Sequence, residues 1–390
     1  MSVRRKDFLI FGSPLIEQPE IEEVVRTLES GWIGMGPKVN KFEEMFKQYK
    51  GSRFAIALNS CTAALHLSML ASGIKPGDEV IIPALTFAAT ANAVLHAGAR
   101  PIFVDCQRDS MNIDPEGLKR KITPKTKAIV AVHFAGRPCD MDTLLDIAQN
   151  NSLKIIEDCA HAIETEYHGK KSGTFGGLGC FSFYATKNIT TGEGGMVITD
   201  NQEYAEKIKI LAAQGMQGDA WQRFSDTGYK HYQIVYFGYK YNMMDLQAAI
   251  GIHQLPRIDA YWQRRKYIWG RYNQAFADLA VFTPLAEEPN TKHAHHLYAL
   301  MLDLDKINIT REQFLSEMTE NNIGVGVHYI ALHLEPYYQQ ALGYRSGDFP
   351  NAEWISQRTV SLPISPKLTE QDIEDVINTV TEIVKVHAIC

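Results

Sequence analysis

No apolar run in this chain approaches the roughly 18 residues that a membrane helix needs, so a spanning protein is not expected. The opening stretch, "MSVRRKDFLIFGSPLIEQPE", has a basic cluster, but Gly and Pro break its short apolar part. It does not read as a signal peptide, and a cytoplasmic location is the expectation. Cysteine is sparse: Cys61, Cys106, Cys139, Cys159, Cys180 and Cys390, with no CxxC pair. That pattern excludes a disulfide framework or a dithiol redox site and reads as small core fillers. The thirteen histidines show no HExxH or zinc-finger spacing, so no metal centre is expected. A long basic tract is missing and the net charge is -6, which argues against a nucleic-acid partner. An anionic small molecule stays open, because one helix N-terminus can hold a phosphate whatever the net charge. There is no repeat or low-complexity segment.

What is present is ordinary globular material: 390 residues, 45% hydrophobic and 22% charged, enough for one large domain and a smaller one. Seven segments read as strands: 54–60, 79–85, 100–106, 127–134, 153–160, 179–186 and 195–200. Most are near-continuous apolar runs, the mark of strands covered on both faces. Helical patterns begin at Thr62, Phe87, Asp114 and Asp140, between the earlier strands. This alternation predicts an α/β protein with a mostly parallel seven-stranded sheet. Only a short loop around Lys187 joins the last two strands, too short for a parallel crossover, so one of them should run antiparallel. After Asp245 the texture changes to a long, Pro-interrupted helical region. Strand patterns follow in "LYALMLDLD" and "IGVGVHYI", then a helix in "TEQDIEDVINTVTEIVKVH". The expected division is a large domain over 1–245 and a small C-terminal α/β domain over 246–390.

In open α/β sheets, ligands sit beyond the carboxyl ends of the strands. Strand 54–60 delivers Asn59, Ser60 and Thr62 at a helix start; strand 79–85 delivers Thr86 and Phe87. Strand 153–160 delivers Glu157, Asp158 and His161; strand 179–186 delivers Ser182 and then Lys187. Taken singly, each has a plain reading. The hydroxyls are caps, Phe87 is core, and a loop lysine is solvated surface. Asp158 stands out, since carboxylates are seldom buried unpaired. Together they match the needs of pyridoxal phosphate. Its aldehyde needs an amine, its pyridine nitrogen a carboxylate, its phosphate a helix N-terminus, and its ring an aromatic surface.

On these residues the chain resembles the DegT/StrS-type nucleotide-sugar aminotransferases, which have the fold type I aminotransferase architecture. The matching stretches are "SGWIGMGPKVNKFEE", "NSCTAALHL", "GDEVIIPALTFAATANAV", "IEDCAHAIETEYHGKKSGTFG", "FSFYATKNITTGEGG", "GYKYNMMDLQAAIG" and "VGVHY", in the family's order over nearly the whole chain. In "KNIT", "GYKYN" and "SLP" it is most similar to the enzymes that make 4-amino-4-deoxy-arabinose for lipid A. The resemblance implies that Lys187 holds pyridoxal phosphate as a Schiff base and shuttles a proton, and that Asp158 pairs with the pyridine nitrogen. It places His161 near the ring hydroxyl, Phe87 against the ring, and Cys61, Thr62 and Ser182 on the phosphate. Asn242 would reach the neighbouring subunit's cofactor phosphate, making a homodimer with shared sites. His328 and Tyr329 would line the sugar site. Lysine rather than histidine at 187 favours transamination over sugar dehydration. The implied partners are L-glutamate and a nucleotide-linked keto sugar, a 4-keto one by the closer similarity. A 3-keto sugar and a catalytically silent binder of the cofactor or sugar nucleotide are the alternatives.

Overall fold

The computed structural model describes residues 5–217 and 232–389; Cys390 lies outside them. Two helices, α1 (Gln18–Glu29) and α2 (Pro37–Lys50), precede the first strand. All seven expected strands form one sheet: β1 (Phe54–Leu58), β2 (Glu79–Pro83), β3 (Arg100–Val104), β4 (Thr126–Val132), β5 (Lys154–Asp158), β6 (Gly177–Ser182) and β7 (Gly195–Thr199). Their order is β1-β7-β6-β5-β4-β2-β3. The β3–β2–β4–β5–β6 run is parallel, and β7 is antiparallel to both β6 and β1. This is the mostly parallel seven-stranded sheet that the strand pattern predicted.

Apolar strands are needed because both faces are covered. Val80 and Ile82 of β2 pack into a cluster with helix α3 (Cys61–Ala71) and helix α4 (Ala88–His96). Ile81, on the opposite face, joins Ile129, Ile155 and residues of helices α5 (Pro115–Lys121) and α6 (Met141–Asn150). The five described cysteines are all free and buried, as core fillers should be.

The region after Asp245 is helical with a break: α7 (Asp245–Gln254), one 3-10 turn at Leu255–Arg257, then α8 (Ile258–Phe276). Pro256 interrupts the run by removing a backbone donor. The small domain adds an antiparallel sheet, β8 (Val281–Phe282), β9 (Tyr298–Leu302) and β10 (Thr359–Leu362), covered by α9 (Arg311–Glu320) and α10 (Glu370–Val386). Ala248, Ile252, Leu255, Ile258 and Tyr261 still pack with Phe42, Phe46 and Phe183 of the large domain. The second core begins at Ile268 and recruits Leu9 from the other end of the chain.

The strand expected in "IGVGVHYI" does not form. Ile323 pairs with Leu9 and Gly326 with Ser361, each only as an isolated bridge. Beyond Gly326 the backbone leaves the sheet and carries His328 and Tyr329 towards the large domain.

Candidate active site

The sheet topology concentrates chain ends at one place. Gly195, the first residue of β7, lies between Leu58 at the end of β1 and Ser182 at the end of β6. Helix α3 starts immediately above it. A Cβ on Gly195 would come within 2.3 Å of the Ser60 carbonyl, so only glycine lets the helix start sit this close. Gly194 is equally confined, against Thr191 and Met243. In this loop only Gly192 has a positive φ, 78°. Gly192 turns the chain, while Gly194 and Gly195 permit close approach. Thr190 and Thr191 do satisfy loop backbone. The Thr190 hydroxyl donates to Phe183 O at 3.1 Å and accepts from Gly192 N–H, and the Thr191 hydroxyl donates to Glu193 O at 2.7 Å.

Around this junction is a cavity of ≈ 360 Å³, within the size range of small-molecule sites. Lys187, Asp158, Cys61, Thr62, Phe87, His161, Ser182, His328 and Tyr329 all line it. Asn242 does not. It pairs with Leu58 as an isolated bridge, and its buried Oδ1 has no hydrogen-bond partner. Asn59 is also outside the lining, whereas Ser60, Thr86, Tyr184 and Glu193 are in it.

Lys187 is half-buried at the cavity wall. Burial pushes its ammonium pKa down to about 8, against the opposing pull of Cys61 and Asp158. An appreciable share of neutral amine near neutral pH makes it a nucleophile, not a solvated surface charge. Asp158 is buried at the end of β5, and burial raises its pKa, partly offset by hydrogen bonds from Thr90 and Ala160. The Thr90 hydroxyl donates to Asp158 Oδ2 at 2.8 Å and contacts the Thr86 hydroxyl at 2.9 Å. Thr90 was not legible in sequence; it lies one helical turn beyond Thr86, inside α4.

Glu157 shares the strand end but faces the other way, as strand alternation requires. It is fully buried and accepts from the N–H groups of Gly173, Phe175 and Gly176 and from His133 Nε2. Its carboxylate therefore anchors a loop beneath the sheet. His133 and Cys159 lie near it, but the Glu157 oxygens are already occupied by these donors.

At the phosphate-ready end, Ser60 caps α3, its Oγ accepting from Ala63 N–H at 3.1 Å. The first N–H groups of an α-helix lack intrahelical partners and carry the positive end of the dipole. Cys61 is a neutral thiol, its pKa raised well above the ordinary value by burial. Phe87 is 60% exposed, with its ring 5.8 Å from that of Tyr329. It is not core; an aromatic face is presented at the cavity.

His161 has a fixed tautomer. Ala135 N–H donates to its Nδ1 at 3.3 Å, and a backbone N–H can only donate. Burial holds the imidazole neutral, with a pKa well below the usual one. The ring proton is therefore on Nε2, which donates to the Tyr329 hydroxyl oxygen at 3.1 Å. The Tyr329 O–H is left to donate, and Tyr329 lines the cavity. His328 bonds Ser361 Oγ through Nδ1 at 2.8 Å, and burial lowers its pKa to about 4.

The residues fit pyridoxal phosphate. An amine, a buried carboxylate, an uncovered aromatic face and a helix N-terminus above a side-chain-free glycine surround one cavity. Fold and site thus define a pyridoxal-phosphate enzyme of fold type I. The comparisons narrow this. The profile described as "DegT/DnrJ/EryC1/StrS aminotransferase family" matches residues 14–381, and the chain belongs to that family. It is 53% identical over 381 residues to the uncharacterized protein MJ1066 of Methanocaldococcus jannaschii, covering 97% of this chain and 98% of that one. It is 48% identical over 387 residues to the spore coat polysaccharide biosynthesis protein SpsC of Bacillus subtilis, covering 99% of each. Among solved structures it resembles the putative sugar aminotransferase Spr1654 of Streptococcus pneumoniae in its PMP form, at a TM-score of 0.91 and 32% identity over 97% of this chain and 99% of that one. The PLP form of the same protein matches at 0.90. The protein is a sugar aminotransferase, and its cofactor is pyridoxal phosphate.

Proposed function

We propose that the protein transfers the amino group of L-glutamate to a nucleotide-linked 4-keto sugar, supplying an amino sugar for a surface polysaccharide or related glycan. The observation that carries this is the convergence of Lys187, Asp158 and the α3 N-terminus on one cavity. The 4-keto preference rests on the "KNIT", "GYKYN" and "SLP" stretches. The glycan context rests on the likeness to SpsC, whose name assigns it to spore coat polysaccharide. Lipid A is one such product.

Bound in this cavity, pyridoxal phosphate supplies the electron sink that stabilises a carbanion. Lys187 would hold it covalently through Nζ; once the amine of glutamate has displaced it, the freed Nζ would carry the proton taken from the α-carbon of glutamate. A positioned general base contributes roughly 10²–10⁴-fold. Asp158 holds a proton on the pyridine nitrogen; Thr90 orients that carboxylate. Cys61, Thr62 and Ser182 would hold the phosphate with the α3 N–H groups, and Ser60 caps that helix. Phe87 covers the ring, His161 sits behind Tyr329, and His328 and Tyr329 face the sugar.

The active unit is a homodimer. Ile21, Val25 and Leu28 form an exposed apolar stripe on α1, with exposed Trp32 and Ile33 following. Contiguous apolar surface of this kind marks a protein–protein contact. Asn242, outside its own subunit's cavity, would serve the cofactor of the other.

Purified protein should have a visible cofactor band that glutamate bleaches and that Lys187→Ala lacks. It should then aminate 4-keto members of a panel of nucleotide-linked 3-keto and 4-keto sugars. Exclusive use of 3-keto sugars would overturn the regiochemistry. Protein that stays colourless with added pyridoxal phosphate would favour a silent binder.

A further inference from the structure

Behind the cavity is a buried polar chain that the functions assigned above do not use. Asn188 follows Lys187 directly and is buried. Its Nδ2 donates to both Glu164 oxygens, at 2.9 and 2.8 Å, and to Ala294 O at 2.9 Å. Its Oδ1 lies 2.8 Å from His296 Nδ1. An amide oxygen can only accept, so His296 Nδ1 carries a proton. The His296 ring packs on the His161 ring, with centroids 4.4 Å apart, and His161 holds Tyr329. The segment carrying His296 is itself tied down: Ala294 N–H bonds Gly136 O and His296 N–H bonds Ala135 O, both at 3.0 Å. Glu164, Asn188, His296 and His161 are all buried.

A fully used amide in such a place is a fixed spacer. It locks the backbone of the residue after the lysine to a carboxyl on one side and to the histidine stack on the other. A buried carboxyl is costly unless it is held, and here the Asn188 amide and the charge of buried Arg265 both favour it. Burial raises the Glu164 pKa to about 7, and the Asn188 amide opposes the shift.

We propose that Glu164 and Asn188 form a positioning pair that fixes the direction of Lys187 relative to the His296–His161–Tyr329 stack. They act on two sides of the cavity at once, through the chain at 187 and through the rings behind Tyr329. Neither lines the cavity, and neither is a catalytic residue. The inference rests on Lys187 being the cofactor-binding lysine.

The test is a swap. Asn188→Asp keeps the shape but removes the donors to Glu164 and sets two acidic groups together. Glu164→Gln is isosteric and removes the acceptor pair. In the double variant the new amide at position 164 can donate to the new carboxylate at position 188, which still accepts from His296 Nδ1. Each single variant, loaded with pyridoxal phosphate, is expected to lower kcat about 10- to 100-fold with KM for glutamate little changed, as misplacement of a reacting group does. Each should also displace the pH midpoint of the visible cofactor band. The double variant should recover most of both losses. Folding is checked by circular dichroism and thermal melting. If Asn188→Asp does not fold, Glu164→Gln alone decides by its band midpoint and kcat. Folded single variants with wild-type band and kcat would overturn the proposal, as would a double variant no better than the worse single. A wild-type protein that forms no band would instead overturn the assignment of Lys187.

Discussion

Lys187 and Tyr329 each acquire their chemistry from what surrounds them. A lysine titrating at about 8 is captured as free amine roughly two to three pH units sooner than an exposed one. Below that pH the amine is protonated and cannot attack a carbonyl. The rate at which cofactor-free protein takes up pyridoxal phosphate should therefore rise with pH and level off above about 8. Stopped-flow absorbance measures it; a rate still climbing to about pH 10 would mean an ordinary lysine. Tyr329 is directed by His161, whose Nε2 donates to it and leaves its proton for the cavity. Tyr329→Phe removes that donor. The expected result is a normal cofactor band and a kcat lower by about 10-fold, the equivalent of one hydrogen bond of about 1.4 kcal/mol. A kinetically silent Tyr329→Phe would remove the hydroxyl from the reaction.

Helix α3 and strand β7 would make the proposed phosphate end of the site by touching where most elements could not. The Ser60 hydroxyl starts the helix, and Gly195 leaves room for it. Ser60→Ala should cost about 1 kcal/mol, the usual value of an N-cap, and should weaken pyridoxal phosphate binding more than its small effect on melting suggests. Gly195→Ala should be harsher. The added methyl would press on the Ser60 carbonyl and the Cys61 N–H, where overpacking typically costs about 1–3 kcal/mol. Chemical denaturation and a cofactor titration separate the two effects. An alanine at 195 with native stability and native cofactor affinity would refute the close-approach argument.

For the whole molecule, the proposed homodimer would cover the apolar stripe on α1 and bring Asn242 into use. Charging the stripe with Val25→Glu and Leu28→Glu should shift sedimentation from dimer to monomer and abolish most activity, while circular dichroism stays native. A fully active monomer would sink the shared-site arrangement. The packing of α7 adds to what the sequence texture shows. The texture changes at Asp245, yet α7 packs on α2 of the large domain. Composition reads the start of a helical run, but only packing reads which core that run serves.

The sequence by itself determined the seven strands, an antiparallel one among the last two, and the identity of the cavity's lysine and carboxylate. These follow from local rules: apolar runs, loop length, and the rarity of charged groups at the ends of buried strands. It also exposed Phe87 and Thr62 as candidates, because strand ends must face the ligand edge. Thr90, Asn188, Glu164 and His296 were not legible in that way. Each is ordinary in its own segment and matters only through a partner 24 to 108 residues away, or 68 for Thr90 and Asp158. The tertiary structure also gave Gly195 its reason, since close approach to a distant backbone leaves no trace in local pattern. Periodicity records which face of an element is buried; which buried groups meet is decided only when the chain closes on itself.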